Sequence, residues 1–555
     1  MSETALGASR DLTDGQTVDA TRAWTWADSA PGLIVALAIV AGALALRIMG
    51  LGREAWLDEA ATLRVIERST WQTWTAAFLA DSQPPAYPLL LTLWAQLSSL
   101  QPWLRALSLV AGLASVVVAM RWAALTSRGA MLLAGLLLAT SPIMLRYSVE
   151  LRPYAFLLLA TAWAGLAASR IAAATGPADR QRTLSLGLAL GLAVMTHFAG
   201  VLLVPAVVAL MLATSLAVPS QPRWQLALGR IPWRTVAAVL LLAIAVLALQ
   251  RTPVVGASDW WMPPLTPTLA ASTFGEAFGL AVPGESGPTA FSVVGVFLFL
   301  AGLFVAARAS ASQWLPPLAA ALVYWLAIAG ISLLWLPIWW PRILAPGLIP
   351  LAIAVSGAVA HLPRASWRLA LTALIIGAGA VTTQRWVARE ARQPIEAWQA
   401  ATVDLASTEA TVPILCLPGY VWLPLDQVIG IENSRLVQVG IGLQGNSLTE
   451  QLTPALNAAA RGGAVGLAVR IDLTFAEDPD ALGRVVDELL VATPGTFTLH
   501  VALVTSPDVS LVPTLADEAR AAELRLRARL GEPVERMGDA RAVRLTFEIR
   551  PQGSV

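Results

Sequence analysis

The chain has 555 residues, of which 56% are hydrophobic and only 13% charged, with a net charge of +1; soluble domains carry roughly 25% charged residues. Together with a mean hydropathy of +0.65 this excludes an ordinary soluble protein. The balanced charge, without a basic run, offers nucleic acid no electrostatic footing. The single cysteine, Cys416, excludes an internal disulfide framework.

Residues 1–31 are polar and carry no basic segment ahead of the first apolar run. That run therefore reads as a retained anchor with a cytoplasmic tail before it, not as a cleaved signal. Apolar segments follow near 32–50, 86–101, 104–125, 129–145, 153–174, 184–199, 200–218, 235–250, 291–308, 315–333, 343–361 and 369–384. About 20 apolar residues suffice to cross a hydrocarbon core of about 30 Å. Positive charge stays cytoplasmic, so the short arginine-bearing loops 127–130, 178–183, 220–234 and 362–368 belong inside. The longer loops 51–85 and 251–290, rich in Trp, Pro and Gly, then lie outside.

This orientation makes segment 86–101 begin and end on the same face. It is short, and its opening "QPPAYPLL" carries three prolines, which interrupt helix geometry. It is expected to enter the membrane without crossing it; the alternative is an outside N-terminus. The expected architecture is a polytopic α-helical membrane protein of about 11–13 helices, with eleven full crossings in 32–384, this partial element and an exterior C-terminus.

Beyond residue 384 the patterning changes. Helix-like "PIEAWQAATVDLA" leads to strand-like "TVPILCL"; "LTEQLTPALNAAARG" and "PDALGRVVDELLVA" are helix-like, and "AVGLAVRIDL" and "TFTLHVALVT" strand-like. A charged helix, "ADEARAAELRLRARLG", precedes a last strand, "RAVRLTFEIR". Strands alternating with helices predict a soluble α/β domain over 385–555 on the extracytoplasmic side. Its "RGGAVG" lacks the flanking pattern of a phosphate-binding loop.

Ionisable residues at membrane depth are costly, so those at segment ends are functional candidates. "REAWLDEAAT" supplies Arg53, Trp56, Asp58, Glu59 and Arg64; "SQPPAYP" supplies Tyr87; "RYSVELRPYA" supplies Arg146, Tyr147, Glu150, Arg152 and Tyr154. "WWPRILAP" adds Arg342, and "MTHFAG" adds His197. Each has a structural reading as well: acids at a helix start favoured by the dipole, arginines snorkelling to the interface, tryptophans in an aromatic belt, a histidine satisfied in packing. Their assignment to one outward face, from four separated stretches, points instead to a site. Arginines can hold phosphate oxygens bidentately in the headgroup layer. Sugar transfer from a lipid phosphate needs one base on the acceptor hydroxyl, because phosphate leaves as an anion, unlike the two-carboxylate chemistry of glycosidases. Two other readings remain: a lipid or polysaccharide transporter, which predicts an internal repeat and broken helices at mid-depth, and an envelope-glycan-binding membrane protein without catalysis.

In this order and spacing, "WLDEA", "DSQPPAYPLLLTLW", "SPIMLRYSVELRPYAFLLL", "MTHFAGVLLVP" and "PRILAPGLIPLAI" resemble the motifs of the GT-C membrane glycosyltransferases. The branch resembled holds the protein O-mannosyltransferases (glycosyltransferase family 39) and the lipid A aminoarabinose transferase. The resemblance covers roughly residues 50–350. It implies a polyprenyl-phosphate-linked sugar donor, inversion at the anomeric carbon, and a lipid, glycan or protein acceptor at the outer face of the plasma membrane. It also implies Asp58 as base with Glu59 beside it, and Glu150, Arg152 and Arg342 as donor or acceptor ligands. No cofactor is expected. A divalent metal between Asp58 and Glu150, as in more distant GT-C enzymes, is the second choice. The basic residue that some relatives place before the paired prolines is missing here, so that loop is not expected to contact phosphate.

Overall fold

The computed structural model describes residues 30–67, 83–174, 179–217, 228–249, 262–277, 311–391, 394–407, 409, 411–439, 447–493, 495–506, 514–539 and 541–550. The expected segment 291–308, nearly all of the tail 1–31 and most of loop 251–290 lie outside these residues.

Helix α1 (Ala30–Ile48) leads to a short loop and α2 (Leu57–Ile66). Then come α3 (Ala86–Ala95), α4 (Gln101–Ala123), α5 (Arg128–Thr140), α6 (Pro142–Tyr147), α7 (Tyr154–Ala172) and α8 (Arg180–Thr196). A 3-10 turn at Phe198–Leu202 runs into α9 (Leu203–Leu216), followed by α10 (Trp233–Leu249) and α11 (Pro267–Ala277). The bundle closes with α12 (Ala311–Leu334), α13 (Pro341–Ala360) and α14 (Ala365–Arg385). Among the described residues seven helices are long and apolar enough to cross a membrane. Their outward side chains stay apolar: Ile34 on α1, Leu326 on α12 and Leu369 on α14 are all more than 60% exposed, as lipid-facing positions should be. The chain is a multi-pass membrane protein.

Two expected segments are shorter than their apolar runs. Helix α3 is ten residues, about 15 Å, and cannot span the hydrocarbon core. The expected segment 129–145 is broken at Ser141, which takes an extended ψ of 123° ahead of Pro142; the chain restarts there as α6. Close helix contacts use small residues. A Cβ on Gly165 of α7 would fall 2.1 Å from the Trp122 ring of α4, so only glycine permits that approach. Pro346 and Pro350 remove two backbone donors from α13. The Tyr324 hydroxyl and Trp325 Nε1 of α12 donate to the carbonyls of Ile343 (2.9 Å) and Leu344 (3.0 Å), fixing the start of that helix.

The C-terminal domain holds a six-stranded sheet in the order β2-β1-β3-β4-β6-β5. Its strands are β1 (Ile414–Leu417), β2 (Leu436–Gln438), β3 (Ala464–Ile471), β4 (Phe497–Thr505), β5 (Glu535–Gly538) and β6 (Ala542–Ile549). The first four in that order are parallel, and β6 and β5 add on antiparallel. Period-two alternation splits the core. Leu415, Leu417, Leu467 and Val469 pack under the helices 448–460, 481–492 and 514–530, whereas Ile414, Cys416 and Ala468 face Trp398, Leu405 and Leu425. Strands β2 and β5 were not expected from the sequence.

Candidate active site

Asp58 and Glu59 are adjacent in the first turn of α2 and go to different places, since successive helical residues point about 100° apart. Asp58 keeps a quarter of its side chain exposed. Its Oδ2 accepts from Arg342 Nη1 at 2.9 Å across 284 positions of sequence, and Arg152 Nη2 lies 3.9 Å from the same oxygen. Among the described residues no contact is made to Oδ1. Arg152 is itself placed by the Asp58 carbonyl and the Thr62 hydroxyl, each 3.3 Å from Nη1. Burial pushes the Asp58 carboxyl up, but the guanidinium groups of Arg152, Arg342 and Arg470 outweigh it and hold the carboxyl below the usual aspartate range. Asp58 is therefore held as a carboxylate anion, engaged through Oδ2.

An aromatic wall backs this pair. The Arg342 guanidinium lies 6.0 Å from the centroid of Tyr154. Tyr154 packs on Tyr147 at 5.1 Å and on His197 at 5.6 Å. His197 Nδ1 accepts the Ala199 N–H at 3.0 Å, capping the 3-10 turn, so the proton of the neutral imidazole sits on Nε2. Residues 147–154, His197 and Arg342, from three separated stretches of chain, are thus gathered around Tyr154 beside Asp58.

Glu59 corrects the expectation of a second acid beside the base. It is 1% exposed and accepts from Arg105 at Nε (3.1 Å) and Nη2 (2.7 Å), and from the Leu151 N–H at 2.7 Å. Arg105 also donates to the carbonyls of Leu51 (2.9 Å) and Arg53. This buried cluster fixes the loop before α2 and the turn carrying Arg152. An arginine inside the apolar run of α4 was the signal for it. Breaking such a pair from one side leaves a buried charge and costs about 3–5 kcal/mol. Arg105→Met is therefore expected to lower the thermal unfolding midpoint in detergent well below that of the Glu59→Gln, Arg105→Met double variant, which removes both charges.

Other expected site residues are placed as follows. Glu150 is fully buried and accepts from Arg146 Nε at 3.0 Å, while Arg146 also lies over Tyr147 at 5.7 Å. Arg53 is 5% exposed and stacks on Trp386 at 5.5 Å. Tyr87, 1% exposed, bonds Ser108 at 3.2 Å and meets Phe156 edge-on, so it is a packing residue beneath α2 and not a surface of the cleft. Arg64 turns to the C-terminal domain, stacking on Trp422 at 5.6 Å and pairing with Asp426 at 3.7 Å. Asp58 and Glu150 are each engaged by arginine, and among the described residues no group of three or more His, Cys, Asp or Glu comes together.

The solved structures decide what this framework is. ArnT from Cupriavidus metallidurans in the apo state superposes with a TM-score of 0.53 at 15% identity, over 93% of this chain and 98% of that one. The fold is that of the GT-C glycosyltransferases. The same ArnT bound to undecaprenyl phosphate superposes with a TM-score of 0.50 at 13% identity, again over 93% and 98% of the two chains. A more distant likeness, with a TM-score of 0.42, is to an oligosaccharyltransferase from Archaeoglobus fulgidus, 14% identical over 89% of this chain and 70% of that one. No protein-family model and no curated protein matches the sequence. The chain therefore shares its fold with ArnT, at a level of identity where the site has to be argued from its own residues.

Proposed function

We propose that the chain is an inverting glycosyltransferase that moves a sugar from a polyprenyl-phosphate donor to an acceptor hydroxyl at the outer face of the plasma membrane. The observation that carries the reading is the Asp58–Arg342 pair, with Arg152 against the same carboxylate oxygen. The lipid-bound state of the ArnT neighbour makes a polyprenyl phosphate a fitting ligand for those two cations. In the reaction the acceptor oxygen attacks the anomeric carbon and its proton passes to Asp58. The bond from that carbon to the phosphate oxygen breaks on the opposite side, and its electron pair leaves on the phosphate. Arg342 and Arg152 turn from Asp58 to the departing oxygens, where positive charge is most needed. The acceptor is a lipid, glycan or protein hydroxyl, and no metal enters these steps.

Release of the polyprenyl phosphate, coupled to sugar appearing on acceptor, tests this reading. A transporter would move the intact donor across a vesicle membrane without consuming it. The arginine hand-over has a signature in pH. In the free enzyme the Asp58 carboxyl is held low, so the acid limb of kcat/KM is expected below the ordinary aspartate value of about 3.9. In the complex the phosphate draws the guanidinium groups away and the carboxyl rises. The acid limb of kcat is thus expected at higher pH than that of kcat/KM, and coincident limbs would contradict the hand-over.

A further inference from the structure

We propose that the C-terminal domain is a positioning element for the base, acting through Glu396 and Arg470 on the first turn of α2. This rests on the glycosyltransferase reading and asks what holds Asp58 in place. In the parallel part of the sheet the strand order reverses between β1 and β3. Open α/β sheets bind ligands in the crevice beyond the carboxyl ends of the strands at such a reversal. Here the polar groups at that edge are Tyr420 after β1, Asp472 after β3 and Ser506 after β4. Tyr420 donates its hydroxyl to Asp472, and Arg470 of β3 donates to Asp472 and to Ser506 (3.3 Å). What fills the crevice is Glu396, from the segment entering the domain. Its Oε1 accepts from Arg470 at Nε (2.9 Å) and Nη2 (2.7 Å).

The other oxygen of Glu396 reaches out of the domain. Oε2 accepts the Leu57 backbone N–H at 3.1 Å and Trp398 Nε1 at 2.8 Å. Leu57 is the first residue of α2, and Trp56 before it gives no side-chain cap. Its N–H is one of the donors a helix start leaves unsatisfied, where a carboxylate is favoured by both hydrogen bonding and the dipole. Asp58 is the next residue. The loop before α2 and the far end of the helix are also held to the domain: Glu54 Oε1 accepts the Gln399 N–H at 2.8 Å, and Arg64 meets Trp422 and Asp426. Glu396 is 1% exposed with all four contacts made, so its geometry leaves little slack. A displacement of about 1 Å in a reacting group can cost about 10²-fold in rate.

The test measures kcat and donor KM of the full chain for Glu396→Gln and for the double variant Glu396→Leu, Arg470→Met. The double variant removes the Glu396–Arg470 pair together but also takes the guanidinium from buried Asp472, so its thermal unfolding midpoint in detergent is measured beside that of wild type. The expected result for both is a kcat lowered on the order of 10²-fold with donor KM unchanged. Hydrogen exchange of the Leu57 amide is expected to quicken. A wild-type kcat in the double variant overturns the proposal. So does a loss shared equally between kcat and KM, because mere loosening of the fold would weaken donor binding too. Asp58→Asn in the same assay separates the two levels. If it turns over normally the glycosyltransferase reading falls. If it is inactive while the Glu396 variants work normally, only the positioning role falls.

Discussion

Asp58→Asn is expected to abolish sugar transfer while leaving polyprenyl-phosphate binding intact. The amide keeps the shape of the side chain and can still accept from Arg342, so the helix start and the cation pair remain in place. What disappears is the acceptor for the hydroxyl proton, a loss of about 10²–10⁴ in rate. Binding is expected to stay level or tighten, because Arg342 and Arg152 no longer have an anion competing with the phosphate. A rate measured with both substrates, set beside binding of undecaprenyl phosphate, separates these effects. Normal turnover by the variant would remove Asp58 from the chemistry.

Arg342→Gln is the second large effect. Its guanidinium approaches Asp58 at 2.9 Å and lies over Tyr154, and its position is set by the proline-opened start of α13 through Tyr324 and Trp325. Losing one donor that stabilises developing charge costs about 10²–10³ in kcat. Phosphate binding should weaken as well, since Arg342 is one of two cations against that carboxylate oxygen. The acid limb of kcat/KM should also rise toward the ordinary aspartate value, because a cation holding Asp58 ionised has gone. Arg342→Lys is expected to restore part of the charge effect and little of the stacking on Tyr154, since a compact ammonium is not a planar guanidinium. A fall in kcat without movement of the limb would assign Arg342 to the phosphate alone.

Membrane segments were legible because hydropathy records them directly, and the break at Ser141 follows from the extended conformation that Pro142 imposes on the residue before it. The meeting of Asp58 with Arg342 and Arg152 was legible for another reason. Charges at helix ends on one face have few places to go except a shared cleft. Adjacency misled at Glu59: two acids side by side in sequence read as a pair, yet a helix turns them to separate surroundings. Arg105, Glu396 and Arg470 escaped notice because their partners lie 46, 339 and 74 positions away. Only tertiary packing makes those contacts. Strands β2 and β5, of three and four residues at the sheet edges, are too short to show a period. The same holds for Arg64, whose partners Trp422 and Asp426 belong to a domain more than 300 positions on.

The most direct measurement of the central claim is mass spectrometry of lipid-linked sugars in cells whose only copy of this chain carries Asp58→Asn. If Asp58 and its arginines transfer sugar from a polyprenyl phosphate, unused donor accumulates in those cells as it does in cells lacking the chain, and wild-type chain clears it. A lipid-linked sugar pool in the Asp58→Asn cells that matches wild type, while cells lacking the chain accumulate donor, would contradict the account.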